Sequence, residues 1–169
     1  VADHPEIPRK LALQGFEGVR AYARDSEQRA ASFFEELGFE PAANRWETRG
    51  DSRGGWIEYE AAPDEPGIPG AGTVHHVAWA STIEDEERWR ERVNAAGGRA
   101  TQVIDRFWFH SIYFREPCGV LFEVASLGPG FTTDEDLEHL GEKLILPPAF
   151  EHLRAEVEPK LTPLPSPRA

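Results

Sequence analysis

The chain has 169 residues, 40% of them hydrophobic, enough for one domain or two small ones with a sizeable core. Its formal net charge of −12 argues against a nucleic-acid partner, because phosphate binding requires a basic face. No apolar run approaches the ~18 residues of a membrane span, and no secretion signal is visible. The single cysteine, Cys118, excludes an internal disulfide. These features predict a cytoplasmic protein that handles small molecules.

The first half of the chain predicts one strand, one helix and three further strands. Asp25 is a candidate N-cap for the helix, which carries Phe34 and Leu37 on one side and ends near Gly38. Pro41 makes the strand after the helix an edge strand. The predicted strands are 15–23, 39–43, 46–48 and 56–61.

The same order returns after the Pro- and Gly-rich segment 63–72. A strand is predicted over 73–80, followed by a helix from near Thr82 to Gly97. Strands then follow over 100–104, 107–114 and 120–125, with a turn at 116–119. The tail is acidic and then Pro-rich, with short helices predicted over 134–140 and 150–157 and a loose end from Leu161.

The two halves also resemble each other in sequence, which indicates an internal repeat. EGVRAYA corresponds to HHVAWA, and GGWIEYEAA corresponds to CGVLFEVAS. This alignment places Gly18 on His76 and Tyr59 on Glu123. The sequence therefore predicts an α+β fold of tandem β-α-β-β-β modules. Its divisions are a lead-in (1–14), a first module (15–62), a linker (63–72), a second module (73–128) and a C-terminal tail (129–169).

Three ionisable residues lie in the two most apolar predicted strands. Glu123 is in the middle of the run VLFEVA, where an unpaired charge would cost roughly several kcal/mol. His75 and His76 interrupt the strand 73–80, and strand alternation predicts that their rings point to opposite faces. The residues alone leave two interpretations open: satisfied core groups, or a metal site that combines one histidine with Glu123.

Longer motifs distinguish these interpretations. The segments GTVHHVAWA, SIYFREPCGVLFEVASLGPGFTTDED and LGEKLILPP resemble the vicinal oxygen chelate superfamily, which includes glyoxalase I, bleomycin-resistance proteins and extradiol dioxygenases. They are most similar to the C-terminal half of ring-cleaving dioxygenases that act on hydroquinones. The resemblance runs from about Gly15 to Leu164 and implies a curved, partly open mixed sheet.

The resemblance also implies roles for five residues. His76 and Glu123 correspond to metal ligands of the family, with Fe(II) as the metal and Mn(II) as the alternative. His75, Tyr113 and Arg106 fall where the family places residues that contact substrate or support the ligands. Since Tyr113 precedes Glu123 by ten residues across a tight turn, the two strands can pair antiparallel and present both groups to one cavity.

The family's third ligand is a histidine from the first of four modules. This chain has two modules and carries Gly18 at the position that aligns with His76. The resemblance therefore implies that a missing N-terminal half or another copy of the chain supplies the third ligand, or that the chain is a relic that no longer binds metal. The implied substrates are a small hydroquinone- or catechol-like aromatic and O2.

Two other functions stay open at this level. A glyoxalase-type isomerase or lyase would use a divalent metal such as zinc or nickel, with a ligand such as Glu58 or Glu60 from the first module. A metal-free binding module would use aromatic walls and an acidic surface. His110 and the aromatic residues 107–109 are expected to pack the sheet or the pocket wall, and Cys118 lacks the neighbours of a nucleophile.

Overall fold

Two four-stranded mixed sheets form the fold. The computed structural model describes residues 5–23, 27–51, 53–65 and 67–163. The first sheet consists of β1 (Gly18–Ala23), β2 (Glu40–Ala42), β3 (Arg45–Arg49) and β4 (Gly54–Ala61), with helix α1 (Glu27–Glu36) between β1 and β2. Its strand order is β1-β4-β3-β2, with β1 parallel to β4 and the other pairs antiparallel. The prediction that Pro41 lies in an edge strand is confirmed.

The second sheet repeats this topology, with the order β5-β8-β7-β6. It consists of β5 (Val77–Ser81), β6 (Ile104–Asp105), β7 (Phe109–Arg115) and β8 (Leu121–Pro129), with helix α2 (Glu86–Ala95) after β5. Strand β5 is parallel to β8, and the remaining pairs are antiparallel. The α+β fold with two β-α-β-β-β units is therefore confirmed, each unit forming its own open sheet.

One hydrophobic core joins the two units. Phe34 of α1 is fully buried, and its ring centroid lies 5.2 Å from that of Trp46, 6.2 Å from Tyr59 and 6.1 Å from Phe122 of the second sheet. Gly38 follows α1 with φ +84, as expected for the residue that ends a helix. The predicted cap Asp25 lies outside the described residues. The buried core residues are Ala30, Phe33, Phe34, Leu37, Phe39, Ile57, Val93, Ile112, Phe114 and Phe122.

Four strand predictions are wrong at their ends, and one of them is the strand predicted over 120–125, which as β8 continues to Pro129. Strand β5 begins at Val77 and not at Thr73. Its neighbour β8 begins only at Leu121, so residues 73–75 lie opposite no strand. Strand β1 likewise begins at Gly18. The predicted strand 100–104 is reduced to β6, because the Thr101 hydroxyl, and not a carbonyl group, accepts the hydrogen bond from the backbone N–H of Tyr113.

The tail contains mostly short 3-10 helices. The predicted helix 134–140 is a single 3-10 turn, Leu137–His139. The predicted helix 150–157 is a 3-10 helix, Pro148–Leu153, continued by α3 (Arg154–Val157). Further 3-10 helices are Arg9–Leu11, Ile83–Asp85, Phe131–Thr133 and Glu158–Lys160. Of the end predicted to be loose, only residues 161–163 are described. Within the described ranges, no helix combines the length and apolar character required to cross a bilayer.

Candidate metal centre

Glu123 is a buried carboxylate with two hydroxyl donors. It lies on β8 on the face opposite the helices and is 3% exposed. The hydroxyl groups of Ser111 and Tyr113 both donate to its Oε1 atom, each at 2.6 Å. Tyr113 lies directly opposite Glu123 in the β7–β8 ladder, so the predicted antiparallel pairing is confirmed. These bonds offset part of the desolvation of the carboxylate and fix its orientation.

His76 faces the other oxygen of this carboxylate. The His76 Nε2 atom lies 2.7 Å from Glu123 Oε2. The prediction that the two histidine rings point to opposite faces is wrong: His75 Nδ1 lies 2.9 Å from His76 Nδ1. The strict alternation of a strand does not apply because both residues precede β5. With neutral rings, Nε2–H of His76 donates to Glu123, and Nδ1–H of His75 donates to His76.

Arg106 completes this group of predicted residues. Its guanidinium carbon lies 5.4 Å from the centroid of the Tyr113 ring, and the Tyr113 ring lies 5.8 Å from that of His76. Among the described residues, no carboxylate forms an ion pair with Arg106, which is exposed to solvent. A cation stacked on a ring and lacking an acidic partner is available to an anionic group of a ligand.

The structure thus brings all five predicted site residues together and adds Ser111. Ser111 was not predicted as part of the site, although its position two residues before Tyr113 on one strand places it on the same face. His110 lies on the other side of a β-bulge and faces helix α2, where its Nδ1 atom is 3.0 Å from Glu86 Oε1. It packs the sheet against α2, as the sequence analysis expected.

The pair His76 and Glu123 fits two positions of a metal coordination sphere. Two adjacent ligands at about 2.1 Å from an ion lie about 3 Å apart, close to the observed separation of Nε2 and Oε2. The other carboxylate oxygen is held by hydroxyl groups, as is usual for ligating carboxylates. Within the part of the chain that the structure describes, no group of three His, Cys, Asp or Glu side chains could enclose an ion. The described residues therefore offer two of the three expected ligands.

The corresponding face of the first sheet offers no comparable pair of ligands. Val19 pairs with Ile57 as Val77 pairs with Phe122, so the residue equivalent to Glu123 is Glu58, and the predicted match to Tyr59 is wrong by one position. The guanidinium group of Arg20 forms ion pairs with Glu58 at 3.6 Å and with Glu60 at 3.4 Å. Both acids are thus paired with an arginine, although the Glu58 side chain is only 15% exposed.

The ring of Trp56 leaves no room for a side chain at Gly18, the counterpart of His76. A Cβ atom added at Gly18 would lie 2.1 Å from Trp56 Cδ2. Real Cβ atoms do not approach other atoms so closely, so any side chain at this position would displace the indole ring. The first module therefore contributes neither a histidine nor a free carboxylate to a centre of its own.

An open cavity of about 530 Å³ lies beside His75. One wall is strand β1, and the other is formed by residues before β5 and by the turn between β7 and β8. Its lining residues are Val19, Arg20, Ala21, Tyr22, Val74, His75, Val77, Arg115, Gly119, Val120 and Leu121. The cavity thus lies between the edge strands of the two sheets.

Cys118 is in the turn between β7 and β8, next to the buried carboxylate of Glu116. Burial, together with the negative charge of Glu116, raises the pKa of Cys118 to about 12. The thiol is therefore protonated at neutral pH and is a poor nucleophile, which agrees with the sequence analysis.

We expect iodoacetamide to alkylate Cys118 on the order of 100-fold more slowly in the folded chain at pH 8 than in urea, because unfolding restores an ordinary thiol pKa. Mass spectrometry against time measures both rates. Since the chain has a single cysteine, all alkylation at sulfur reports this site. Equal rates in the two states would contradict the assignment of a raised pKa.

Comparisons with known proteins agree with this arrangement. The family model for the Glyoxalase/Bleomycin resistance protein/Dioxygenase superfamily matches residues 19–124, which include most of both sheets. MhqO of Bacillus subtilis (strain 168), named provisionally as a ring-cleaving dioxygenase, is 37% identical, and the alignment covers 94% of this chain and 52% of MhqO. The chlorohydroquinone/hydroquinone 1,2-dioxygenase of Sphingobium indicum is 30% identical over 92% of this chain and 51% of the relative.

The same similarity holds for a solved structure. The crystal structure of a protein from Bacillus subtilis, provisionally described as a dioxygenase, superposes with a TM-score of 0.81 and 35% identity, covering 95% of this chain and 54% of that chain. The chain therefore spans about half the length of the relatives that it matches.

Proposed function

Because the chain belongs to the Glyoxalase/Bleomycin resistance protein/Dioxygenase superfamily, we propose that it forms the ligand-bearing C-terminal half of a ring-cleaving dioxygenase. The reaction is extradiol cleavage of a hydroquinone or catechol-like ring by O2 in the cytoplasm. The observation that carries this proposal is the approach of His76 Nε2 to Glu123 Oε2 at 2.7 Å in a carboxylate site otherwise closed by hydroxyl groups. The relatives named as ring-cleaving dioxygenases support the same reaction class.

His76 and Glu123 would hold Fe(II), or Mn(II), as two ligands of a set of two histidines and one carboxylate. Bound there, such an ion would supply a redox-active centre that couples oxidation of the aromatic ring to reduction of O2. Glu123 supplies the one anionic ligand, so the site keeps a net positive charge that favours a deprotonated phenol. The hydroxyl group of Tyr113 directs Glu123 so that Oε2 faces His76.

The remaining site residues would orient His76, move protons and bind the substrate. His75 fixes the ring of His76 through the contact between their Nδ1 atoms and lines the neighbouring cavity. With its Nδ1–H donated to His76, the neutral ring of His75 would accept a proton at Nε2 near the ligands, and Tyr113, whose hydroxyl group donates to Glu123, would orient that carboxylate. Arg106 offers an unpaired cation beside Tyr113 for an anionic group of the substrate.

Division of the chain into modules at 15–62 and 73–128, joined by the linker 63–72, is part of this proposal. The first module serves as a scaffold, because Arg20 neutralises Glu58 and Trp56 covers Gly18. This arrangement also counts against the glyoxalase-type alternative, in which each of two paired modules supplies ligands.

The reaction is tested with ¹⁸O2, hydroquinone and Fe(II), with the chain supplied with an N-terminal half that carries a strand-borne histidine. Extradiol cleavage inserts both oxygen atoms of one O2 molecule, so the product mass increases by about 4 over that formed in ¹⁶O2. An isomerase or lyase consumes no O2, and a binding module forms no product. Absence of label in a metal-loaded, complemented preparation would contradict the proposal.

The partner half is expected to cover two open sheet edges. Strands β1 and β5 are edge strands, and the exposed apolar residues Tyr22 and Val74 lie on or next to them. Unpaired edges and apolar surface of this kind favour association. We therefore expect the chain to self-associate at micromolar concentration, or to bind the missing N-terminal half, as measured by light scattering.

A charged residue at the edge should weaken this association. Val74→Asp is expected to shift the chain towards the monomer, since a charge next to an edge strand opposes pairing. Ile68→Asp is the matched control, because Ile68 is equally exposed but lies in the linker. A wild-type chain that is monomeric at this concentration, with no second chain present, would contradict the prediction.

A further inference from the structure

The turn between β7 and β8 contains a second buried carboxylate, Glu116. It is 2% exposed, and among the described residues no Lys, Arg or His forms an ion pair with it. Its Oε2 atom accepts a hydrogen bond from the backbone N–H of Cys118 at 2.7 Å, and Oε1 accepts one from Val120 at 2.6 Å. The negative charge is therefore held by main-chain amides of the turn itself.

Main-chain hydrogen bonds also stabilise the same turn. The N–H of Glu116 donates to the carbonyl of Val120 at 3.1 Å, and the N–H of Gly119 donates to the carbonyl of Glu116 at 2.9 Å. Gly119 has φ +94, a conformation that suits glycine. Four hydrogen bonds to one residue thus fix the length and shape of the turn.

Along the sequence, the turn is equally far from Tyr113 and from Glu123. Tyr113 precedes Glu116 by three residues, and Glu123 follows Val120 by three residues. The pairs Arg115 with Leu121, Phe114 with Phe122 and Tyr113 with Glu123 continue from the turn without a break. Because side chains alternate along a strand, a shift of one residue would turn Tyr113 or Glu123 to the helix-facing side.

We propose that Glu116 is a positioning residue of the metal centre: its carboxylate fixes the turn that sets Tyr113 opposite Glu123. The inference deepens the proposed function, because it concerns how the same ligand is oriented. Glu116 touches neither the candidate ligands nor the substrate side of the site, and it acts through the register of β7 and β8.

Glu116 also contacts the first module. Tyr59 of β4 lies beside Glu116 and Cys118, and burial together with the charge of Glu116 raises the pKa of Tyr59 well above its usual range. The turn therefore lies near a buried phenol of the first sheet, whose hydroxyl group has no hydrogen-bond partner among the described residues.

The test uses Glu116→Gln, which keeps the size of the side chain but presents an N–H₂ group to one of the two amide donors. The chain contains three tyrosines, Tyr22, Tyr59 and Tyr113, so labelling with 3-fluorotyrosine gives three ¹⁹F resonances. Tyr-to-Phe variants assign them. Tyr59 reports the local change, Tyr113 reports the metal centre, and the exposed Tyr22 serves as an internal reference.

We expect the Tyr113 resonance of Glu116→Gln to shift or broaden and Mn(II) affinity to fall about tenfold, with the Tyr22 resonance unchanged. Glu116→Asp, which keeps the charge, should restore part of both. Glu91→Gln, a change of the same type at an exposed position of α2, should leave all three resonances and the affinity at wild-type values.

An unchanged Tyr113 resonance in folded Glu116→Gln would overturn the inference. Failure of both Glu116→Gln and Glu116→Asp to fold would also overturn it, since Glu116 would then support the fold as a whole and not the site. The ¹⁹F readout needs no metal. If the wild-type chain binds no Mn(II) even when an N-terminal half supplies the third ligand, the proposed function fails, and the Tyr113 resonance still decides the role of Glu116.

Discussion

Replacing His76 or Glu123 by alanine should abolish tight metal binding, with a loss of affinity for Mn(II) of more than about 100-fold. The reason is that each side chain supplies one of the two donor atoms that converge at 2.7 Å. Elemental analysis after equilibration with Mn(II), together with calorimetric titration, measures the effect.

His110→Ala is a closely matched control for this prediction. The side chains of His76 and His110 are 32% and 31% exposed, and each lies about 3 Å from a glutamate. His110 faces helix α2, so its loss should leave the metal content unchanged. Unchanged content in both His76→Ala and Glu123→Ala would disprove the site.

Removing the charge of Glu123 should separate metal binding from stability. Glu123→Gln keeps an oxygen for the hydroxyl groups of Ser111 and Tyr113 but removes a buried charge that lacks its metal. Without metal, this variant should unfold at a temperature no lower than that of the wild type, because the hydrogen bonds to Glu123 offset only part of the cost of burying its charge.

The second large effect concerns activity. The chain alone, in Fe(II) and under reducing conditions, should show little or no O2 uptake with hydroquinone. Two protein ligands leave too many coordination positions of the ion open. Without the third ligand, an imidazole, the ion is bound more weakly, and its open positions are not limited to those for substrate and O2.

Addition of an N-terminal half with its own strand-borne histidine should restore turnover. The control is the same half with that histidine changed to alanine, which should assemble but stay inactive. Robust O2 uptake by the chain alone would mean that the third ligand is already present, for example from a second copy of the chain.

Hydrophobic periodicity predicted most of the fold, because the elements that bury one face carry a clear signal. Phe34 and Leu37 marked the buried side of α1, and Gly38 marked its end. The ten-residue separation of Tyr113 and Glu123 across a turn was sufficient to predict their pairing, since a tight hairpin leaves little freedom in register.

The wrong predictions concern places where a strand ends or where its regular geometry is interrupted. The start of β5 depends on where its neighbour β8 begins. The sequence of residues 73–76 alone does not reveal this tertiary contact. The predicted opposite orientation of His75 and His76 was therefore wrong, although His76 does lie beside Glu123. The alignment of Tyr59 with Glu123 failed because the second hairpin is longer, so a match on turn glycines is displaced by one residue.

The indole ring that lies over Gly18 limits how many ions one chain can hold. A second centre in the first sheet would require removal of Trp56, a histidine at Gly18 and loss of Arg20, and no one of these changes alone creates a donor pair. The two halves of the repeat are thus not interchangeable despite their common topology. A calorimetric titration should accordingly show one equivalence point at no more than one ion per chain. Any further uptake would be due to weak binding on the acidic surface.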